Sequence, residues 1–336
     1  MIDESWDRTS VPRRIIDAAV TVDVAGAKRG GAARFKAELD SYLTRTGRDD
    51  VQVIGTSRRV NPAWLLRREI ARPSRGRYVS LNNVSFVASG TERWTLLRNA
   101  LHFLTDIEMS QLDPSDRAAS RREGAVVRLA ARRSDVLVAP STAMAERVTR
   151  ALPGVRSRIH VRAHPVSADA IPTLPRDPAI LCPVLFSPYK LMADRLTELL
   201  VAIGNCGDPS VWLRVTAEPA EVPAALAGNP KIELVGRLGY DELRRLWARS
   251  RAIYFPTGIE SFGYPLAEAR VSGQPVIARD TSQNREIGGH ALCGFAPGDT
   301  ASLRAAVRLA LTTDIAPDPA PFDPDAYFNW LLGPPR

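Results

Sequence analysis

Pro256-Thr-Gly-Ile-Glu260-Ser261-Phe262-Gly263-Tyr-Pro265-Leu266-Ala-Glu268-Ala-Arg-Val-Ser-Gly273-Gln-Pro275-Val-Ile-Ala278 decides how this chain is read. The apolar run at 252–255 predicts a strand that opens into a loop holding Glu260. Ser261-Phe262-Gly263 then leads into a helix predicted over 265–272, with Pro265 in the first turn, where a missing amide is tolerated. Free amides at a helix start, with a glycine allowing close approach, make a phosphate site. Glu268 stands eight residues beyond Glu260, roughly 12 Å along a helix. Carboxylates so spaced can hold hydroxyls at two ends of one elongated ligand. A buried crossover with incidental acids would explain two bare glutamates. It does not explain the Gly-Tyr-Pro entry together with the trailing Gly273-Gln-Pro275-Val-Ile-Ala strand.

Outward from this stretch, apolar runs alternate with amphipathic ones, the pattern of parallel α/β structure. Strands are predicted at 18–24, 51–54, 78–82, 135–139 and 159–163, with 99–104 on or beside another, then at 184–186, 211–216, 232–235, 252–255 and 275–278. Helices are predicted at 32–42, 142–149, 192–203, 240–249, 265–272 and 300–312, with Ser141 as an N-cap. Pro172, Pro175 and Pro178 make a poor helix or inner strand and place a linker between two halves. The expected organisation is two doubly wound, Rossmann-like domains facing a cleft. Residues 1–168 form the acceptor side, 169–178 the linker and 179–313 the nucleotide side. The tail, 314–336, opens with a second proline-rich connector. Phe322, Tyr327, Phe328 and Trp330 make it apolar enough to dock, and it is expected to cross back to the first domain.

The composition is globular: 45% hydrophobic and 24% charged over 336 residues. No apolar run reaches the ~18 residues that span a bilayer, and the acidic N-terminus is unlike a signal peptide. Cys182, Cys206 and Cys293 have neither disulfide nor zinc spacing and suit a reducing cytoplasm. The net charge of +8 comes from arginine, with only Lys28, Lys36, Lys190 and Lys231 as lysines. Acids are interspersed almost throughout and no recognition motif accompanies the charge, so no nucleic-acid partner is expected. The basic segments 67–77 and 117–133 are exceptions. They read as solvated helix faces or as a peripheral membrane contact.

In the first half, Gly30-Gly31-Ala32-Ala33-Arg34 follows a strand and opens a helix, so its amides can meet a phosphate across the cleft. It is neither a dinucleotide fingerprint nor a Walker loop. His102, at the end of the apolar run 99–104, is expected to be delivered to the cleft. Asn82 and Asn83 are candidates for acceptor hydroxyls. His160, His164 and His290 show no ligand spacing. Asp323-Pro-Asp325 spells D-x-D but lies in a proline-bounded tail, so it is not read as a metal site, and no metal site is expected.

From 231 to about 311 the chain resembles the C-terminal half of family 4 retaining glycosyltransferases (glycosyl transferases group 1), which have the GT-B fold. The resemblance rests on Ile232-Glu-Leu-Val-Gly236-Arg237-Leu, Asp241-Glu-Leu243 with Leu246-Trp247, the pair Glu260 and Glu268, Glu286 in Asn284-Arg-Glu-Ile, and Pro297-Gly298-Asp299. It implies that Glu268 binds the ribose and Glu260 lies beside the transferred sugar. It also implies that the backbone from Phe262 to Leu266, with Ser261 and Gly263, meets diphosphate and sugar, and that Gly236 and Arg237 edge the base. Lys190 matches the family's lysine against the donor diphosphate, Gly30-Gly31 its first-domain turn, and His102 its histidine near the reacting sugar. The chain departs from the family at Val184 and Leu185, where an arginine is usual. Arg195, Arg214 and Arg237 are candidate replacements. The implied activity is metal-independent hexosyl transfer from a UDP- or GDP-sugar to the hydroxyl of a glycan, lipid or small metabolite, with no other cofactor. A GT-B epimerase or phosphorylase, or a catalytically weakened nucleotide-binding scaffold, are the alternatives.

Overall fold

The computed structural model describes residues 19–28, 30–70, 76–168, 174–183 and 191–334. The first half runs β1 (Val20–Asp23), α1 (Gly30–Thr46), β2 (Val51–Ile54), α2 (Pro62–Ile70), β3 (Arg77–Ser80), β4 (Glu92–Leu96), α3 (Asp106–Ser110), α4 (Pro114–Ala131), β5 (Val136–Ala139), α5 (Thr142–Ala151) and β6 (Ile159–Val161). The second runs β7 (Asp177–Cys182), α6 (Met192–Gly204), β8 (Trp212–Val215), α7 (Ala224–Ala227), β9 (Ile232–Leu234), α8 (Tyr240–Arg249), β10 (Ser250–Phe255), α9 (Tyr264–Ser272), β11 (Val276–Arg279), α10 (Ser282–Gly288), β12 (Leu292–Phe295) and α11 (Thr300–Thr312). A last helix, α12 (Pro324–Leu332), closes the chain.

Two six-stranded parallel sheets result, ordered β2-β1-β3-β4-β5-β6 and β12-β11-β10-β7-β8-β9. Strands such as Leu181–Cys182 and Ile253–Phe255 are buried because helices cover both faces of a parallel sheet, which is why they read as short continuous apolar runs. Strand order reverses between β1 and β3 in the first sheet and between β7 and β10 in the second. Ligand crevices of doubly wound sheets form at such points, beyond the carboxyl ends of the strands.

The tail returns to the first half as expected. Tyr42 of α1 donates to Asn329 at 2.7 Å, and Phe35 meets Tyr327 and Phe328 at 5.6 Å. Trp330 lies edge-on to Trp94 at 4.9 Å, and Arg77 donates to the Leu331 carbonyl. The backbone N–H of Val166, on the way out of the first half, donates to the Phe322 carbonyl on the way back (3.0 Å). Asp323 caps α12 by accepting from Asp325 and Ala326, and Asp325 pairs with Arg45, so the D-x-D spelling is a helix start.

Two expectations change in the structure. Residues 99–104, expected on or beside a strand, hold a 3-10 turn, Ala100–Phe103, and the strand they follow is Glu92–Leu96. Its charged start disguised it; Glu92 pairs with Arg77 (2.8 Å) and Arg93 with Asp135 (3.0 Å) on the flanking strands, which offsets the charges. The linker expected to reach residue 178 ends earlier, because β7 begins at Asp177; Pro178, its second residue, sits where the pairing with β10 shifts register, a place that accommodates proline. The strand expected at 184–186 lies outside the described residues. Helices α2, α3, α4, α7 and α10 and strand β12 were not anticipated as elements. Among the described residues, no helix is long and apolar enough to cross a membrane.

Candidate functional site

Both reversal points open onto one cleft of about 380 Å3. Gly30, Gly31 and Arg34 enter it from the β1–α1 connection, Asn83 from beyond β3, Arg98 and Asn99 from beyond β4, and His164 from beyond β6. Opposite them stand Pro183 after β7 and the loop from Phe255 through Glu260 to Pro265 after β10.

Two helix starts converge here. Gly30 has φ +57, a left-handed conformation that favours glycine. At Gly31 the constraint is space: a Cβ would stand 3.0 Å from the Tyr264 ring across the cleft. Gly263 caps α9 with φ +83 and no side-chain cap, and a Cβ there would meet Leu266 at 2.9 Å. The helix-start amides therefore approach the cleft bare, a geometry that favours an anion. Leu266 is an exception, since its amide donates to the Gly263 carbonyl (2.9 Å) and its side chain is in the core.

Side chains clasp the two halves around the cleft. Ser261 donates to the Arg98 carbonyl (2.6 Å) and its own carbonyl accepts from Ser141 (2.8 Å). Glu286 accepts from the Thr142 amide and hydroxyl at the start of α5. Phe262 packs edge-on to His164 at 5.0 Å. Glu260 lines the cleft. Glu268 is buried on α9, with Oε1 paired to Arg34 of α1, while Oε2 has no hydrogen-bond partner among the described residues.

The first-half loops rest on a buried network. Asp23, at the end of β1, accepts from Arg68 and Asn82 (2.7 Å each) and from the Ala25 amide. Arg68 also donates to the carbonyls of Val84 and Ser85. Asn82 is thereby a scaffold residue. Asn83, left-handed at φ +69, accepts the amides of Arg98 and Asn99 and fixes that loop.

His102 does not line the cleft. Strand β4 ends at Leu96, so its exit delivers Arg98 and Asn99, and His102 turns inward. Its Nε2 lies 3.2 Å from the Asn99 amide nitrogen, and its carbonyl accepts from Arg128. Burial, and secondarily Arg128, lower its pKa to about 4. The Glu123 carboxylate at 3.8 Å is exposed and does not offset these effects, so His102 is neutral near pH 7.

Gly236 and Arg237 lie at the exit of β9, away from the cleft lining. Gly236 has φ +68, and the Arg237 amide donates to Glu218 (3.0 Å) while its guanidinium pairs with Glu221. Lys190 lies outside the described residues. Of the three candidate replacement arginines, Arg214 is held by Asp177 and Glu233 at 2.7 Å each and Arg237 by Glu221. Arg195 reaches Glu198 at 2.9 Å. Arg279, which sequence reasoning passed over, ends β11 beside the β10 loop. A Cβ at Gly258 would stand 2.5 Å from its Nη1. Its pKa is lowered by burial and then by Arg195, which marks two cations close together at the rim of the second sheet.

His164 was also missed. It is 2% exposed, lies within ring contact of Phe35, Phe262, Tyr264 and Tyr327, and burial and then Arg98 hold its pKa well below the ordinary value. A histidine two residues beyond a strand and next to proline gave no spacing signal. Only the alignment of strand exits reveals it.

Comparison with known proteins agrees with this geometry. Residues 193–313, from α6 through α11, match the family described as glycosyl transferases group 1. No curated protein sequence matches the chain. Among solved structures, WaaG, a glycosyltransferase involved in lipopolysaccharide biosynthesis, superposes with a TM-score of 0.65 at 15% identity, over 88% of this chain and 90% of that one. Anabaena HepE in complex with UDP and glucose gives 0.60 at 15% identity, over 93% and 95%. The lipopolysaccharide outer core galactosyltransferase WaaB gives 0.55 at 11% identity, over 93% and 98%. The chain therefore has the GT-B architecture, two Rossmann-like domains facing a cleft. Within its second domain, residues 193–313 are similar to glycosyl transferases group 1.

Proposed function

We propose that the chain is a metal-independent, retaining glycosyltransferase that moves a hexosyl group from a UDP- or GDP-sugar to an acceptor hydroxyl. The observation that carries this reading is the meeting of two glycine-bearing helix starts, one from each half, over a cleft flanked by Glu260 and Glu268. It gains support from the group 1 segment and from HepE, whose complexes contain UDP and UDP-glucose.

In this reading the starts of α1 and α9 hold the diphosphate, with Lys190, Arg195 and Arg279 supplying cations. Glu268, anchored by Arg34 through one oxygen, offers the other to a ribose hydroxyl. Glu260 orients the transferred sugar, and Gly236 and Arg237 border the base. His102 acts through Asn99, accepting from its amide and setting its direction. As the bond between the anomeric carbon and the diphosphate breaks, charge grows on the leaving oxygens, where fixed amides and cations stabilise it. The acceptor oxygen attacks from the same face, and its proton passes to the departing diphosphate, so positioning replaces a dedicated base.

The basic segments sort in two. Arg68 and Arg117 are structural, the latter donating to the carbonyls of Met109 and Leu112. Arg67, Arg121, Arg122, Arg132 and Arg133 are exposed near Leu66, Ile70, Val126 and Leu129 on α2 and α4, which suits a peripheral contact with an anionic membrane from the cytoplasmic side.

The decisive experiment is a panel of UDP- and GDP-sugars scored by release of nucleoside diphosphate, with mass spectrometry of any product. Release with one donor, increased by an acceptor alcohol, is expected. Absence of nucleotide binding across the panel would sink the reading.

A further inference from the structure

Three polar side chains in the cleft are left with open hydrogen-bonding atoms by the roles assigned above. Arg98 gives Nη2 to the Leu81 carbonyl and lies 5.2 Å over the Phe35 ring, yet its buried Nε and Nη1 have no partner among the described residues. Both ring nitrogens of His164 are buried and likewise unpartnered. So is the hydroxyl of Tyr264, whose ring stacks on His164 with centroids 6.0 Å apart. All three line the same cleft.

Unpartnered buried polar atoms are costly to leave unpaired, and a desolvated cation adds to that cost. Their concentration in one place marks a ligand's position. The complement follows from their chemistry. Arg98 offers donors from two nitrogens and a permanent charge. Neutral His164 adds one N–H, and Tyr264, kept protonated by burial, adds one O–H. The trio is rich in donors, carries positive charge and includes no carboxylate. A neutral sugar hydroxyl would satisfy single donors and leave the charge uncompensated. The donor diphosphate is served elsewhere, by the starts of α1 and α9 and by the cations at the rim of the second sheet.

We propose that Arg98, His164 and Tyr264 form an anion subsite that takes a carboxylate or phosphate carried by the transferred sugar or by the acceptor. The assignment rests on reading the cleft as a nucleotide-sugar site, and it makes that site selective for a charged substrate.

The test is isothermal titration of the full chain in two arms. One arm compares UDP-glucuronate with UDP-glucose. The other compares glucose 6-phosphate and glucuronate with glucose, with UDP or GDP present. In at least one arm the charged ligand binds at least tenfold tighter, and that arm identifies which substrate bears the charge. Arg98→Gln reduces the preference below twofold and leaves affinity for the bare nucleoside diphosphate within twofold, and Arg98→Lys restores part of it. Tyr264→Phe, which alters no charge, weakens only the charged ligand, and serves if Arg98→Gln does not fold. No charge preference in either arm, including no binding of either partner, overturns the proposal. So does an Arg98→Gln variant that loses the bare nucleoside diphosphate equally, because Arg98 would then serve the diphosphate. Failure of UDP and GDP to bind while the charged sugars keep their advantage would instead sink the donor reading, and with it the selectivity for a nucleotide-sugar substrate, leaving only an anion site in the cleft.

Discussion

The two walls of the cleft are made of different materials. The second-half wall is mainly backbone: a loop after β10, a left-handed Gly263 and the bare start of α9. The first-half wall is mainly side chain: Arg34, Asn83, Arg98, Asn99 and His164, reaching in from four connections. A backbone wall suits a group that is the same in every donor, such as a diphosphate, and leaves little room for variation. A side-chain wall can be retuned one residue at a time, as substrate selectivity requires. The second wall is stiffened by its own sheet. The first depends on the buried Asp23–Arg68 network beneath it.

That dependence is the easiest part of the contrast to break. Removing one partner of a buried ion pair strands the other, at a cost of about 3–5 kcal/mol. Arg68→Ala should therefore lower the urea midpoint of the whole chain sharply. A small change would show that the first wall stands without the network.

Next in size is the link between the walls. Glu268→Gln should cut kcat/KM by roughly 100-fold, about 2.7 kcal/mol at the transition state. Arg34→Gln should cut it less, since Arg34 only anchors the carboxylate. Equal losses would show that the pair acts purely as a clasp.

Backbone geometry is tested by Gly263→Ala, where left-handed strain of about 1–3 kcal/mol adds to the contact with Leu266. Turnover and thermal midpoint should fall together. A fall in turnover alone would mean that α9 repositions without unfolding.

The smallest effect concerns pH. His102 titrates near 4 in the folded chain and near 6.5 when unfolded. The unfolded state therefore binds the extra proton first. The resulting destabilisation is absent above about pH 6.5, grows as pH falls and is complete below about 4. His102→Gln should flatten part of that loss in urea midpoints taken from pH 7 to 4.5. His164 contributes in the same direction, so some slope should persist.

The contrast between the walls also explains what could be read before the structure. Glycine, proline and carboxylate at fixed offsets are local signals, so the α9 entry was legible from 256–278 alone. The helices Tyr240–Arg249 and Thr300–Thr312 were legible from their periodicity to the residue. Arg98 and His164 were not, because their placement depends on where β4 and β6 stop. A charged strand start hid the first of these, and shifting the strand by several residues put His102 in the place that Arg98 holds. Arg279 was hidden by a different cause: a basic residue closing an apolar strand looks like any solvated strand end.

The chain passes between its halves twice, once after β6 and once before α12, and the Val166–Phe322 hydrogen bond ties the two passages side by side. A single connecting strand would act as a universal joint, letting one lobe twist and slide over the other. A doubled, stitched connection behaves as a pinned door: it favours one swing and suppresses the rest. Any opening of the cleft along that one swing would return the two walls to the same register.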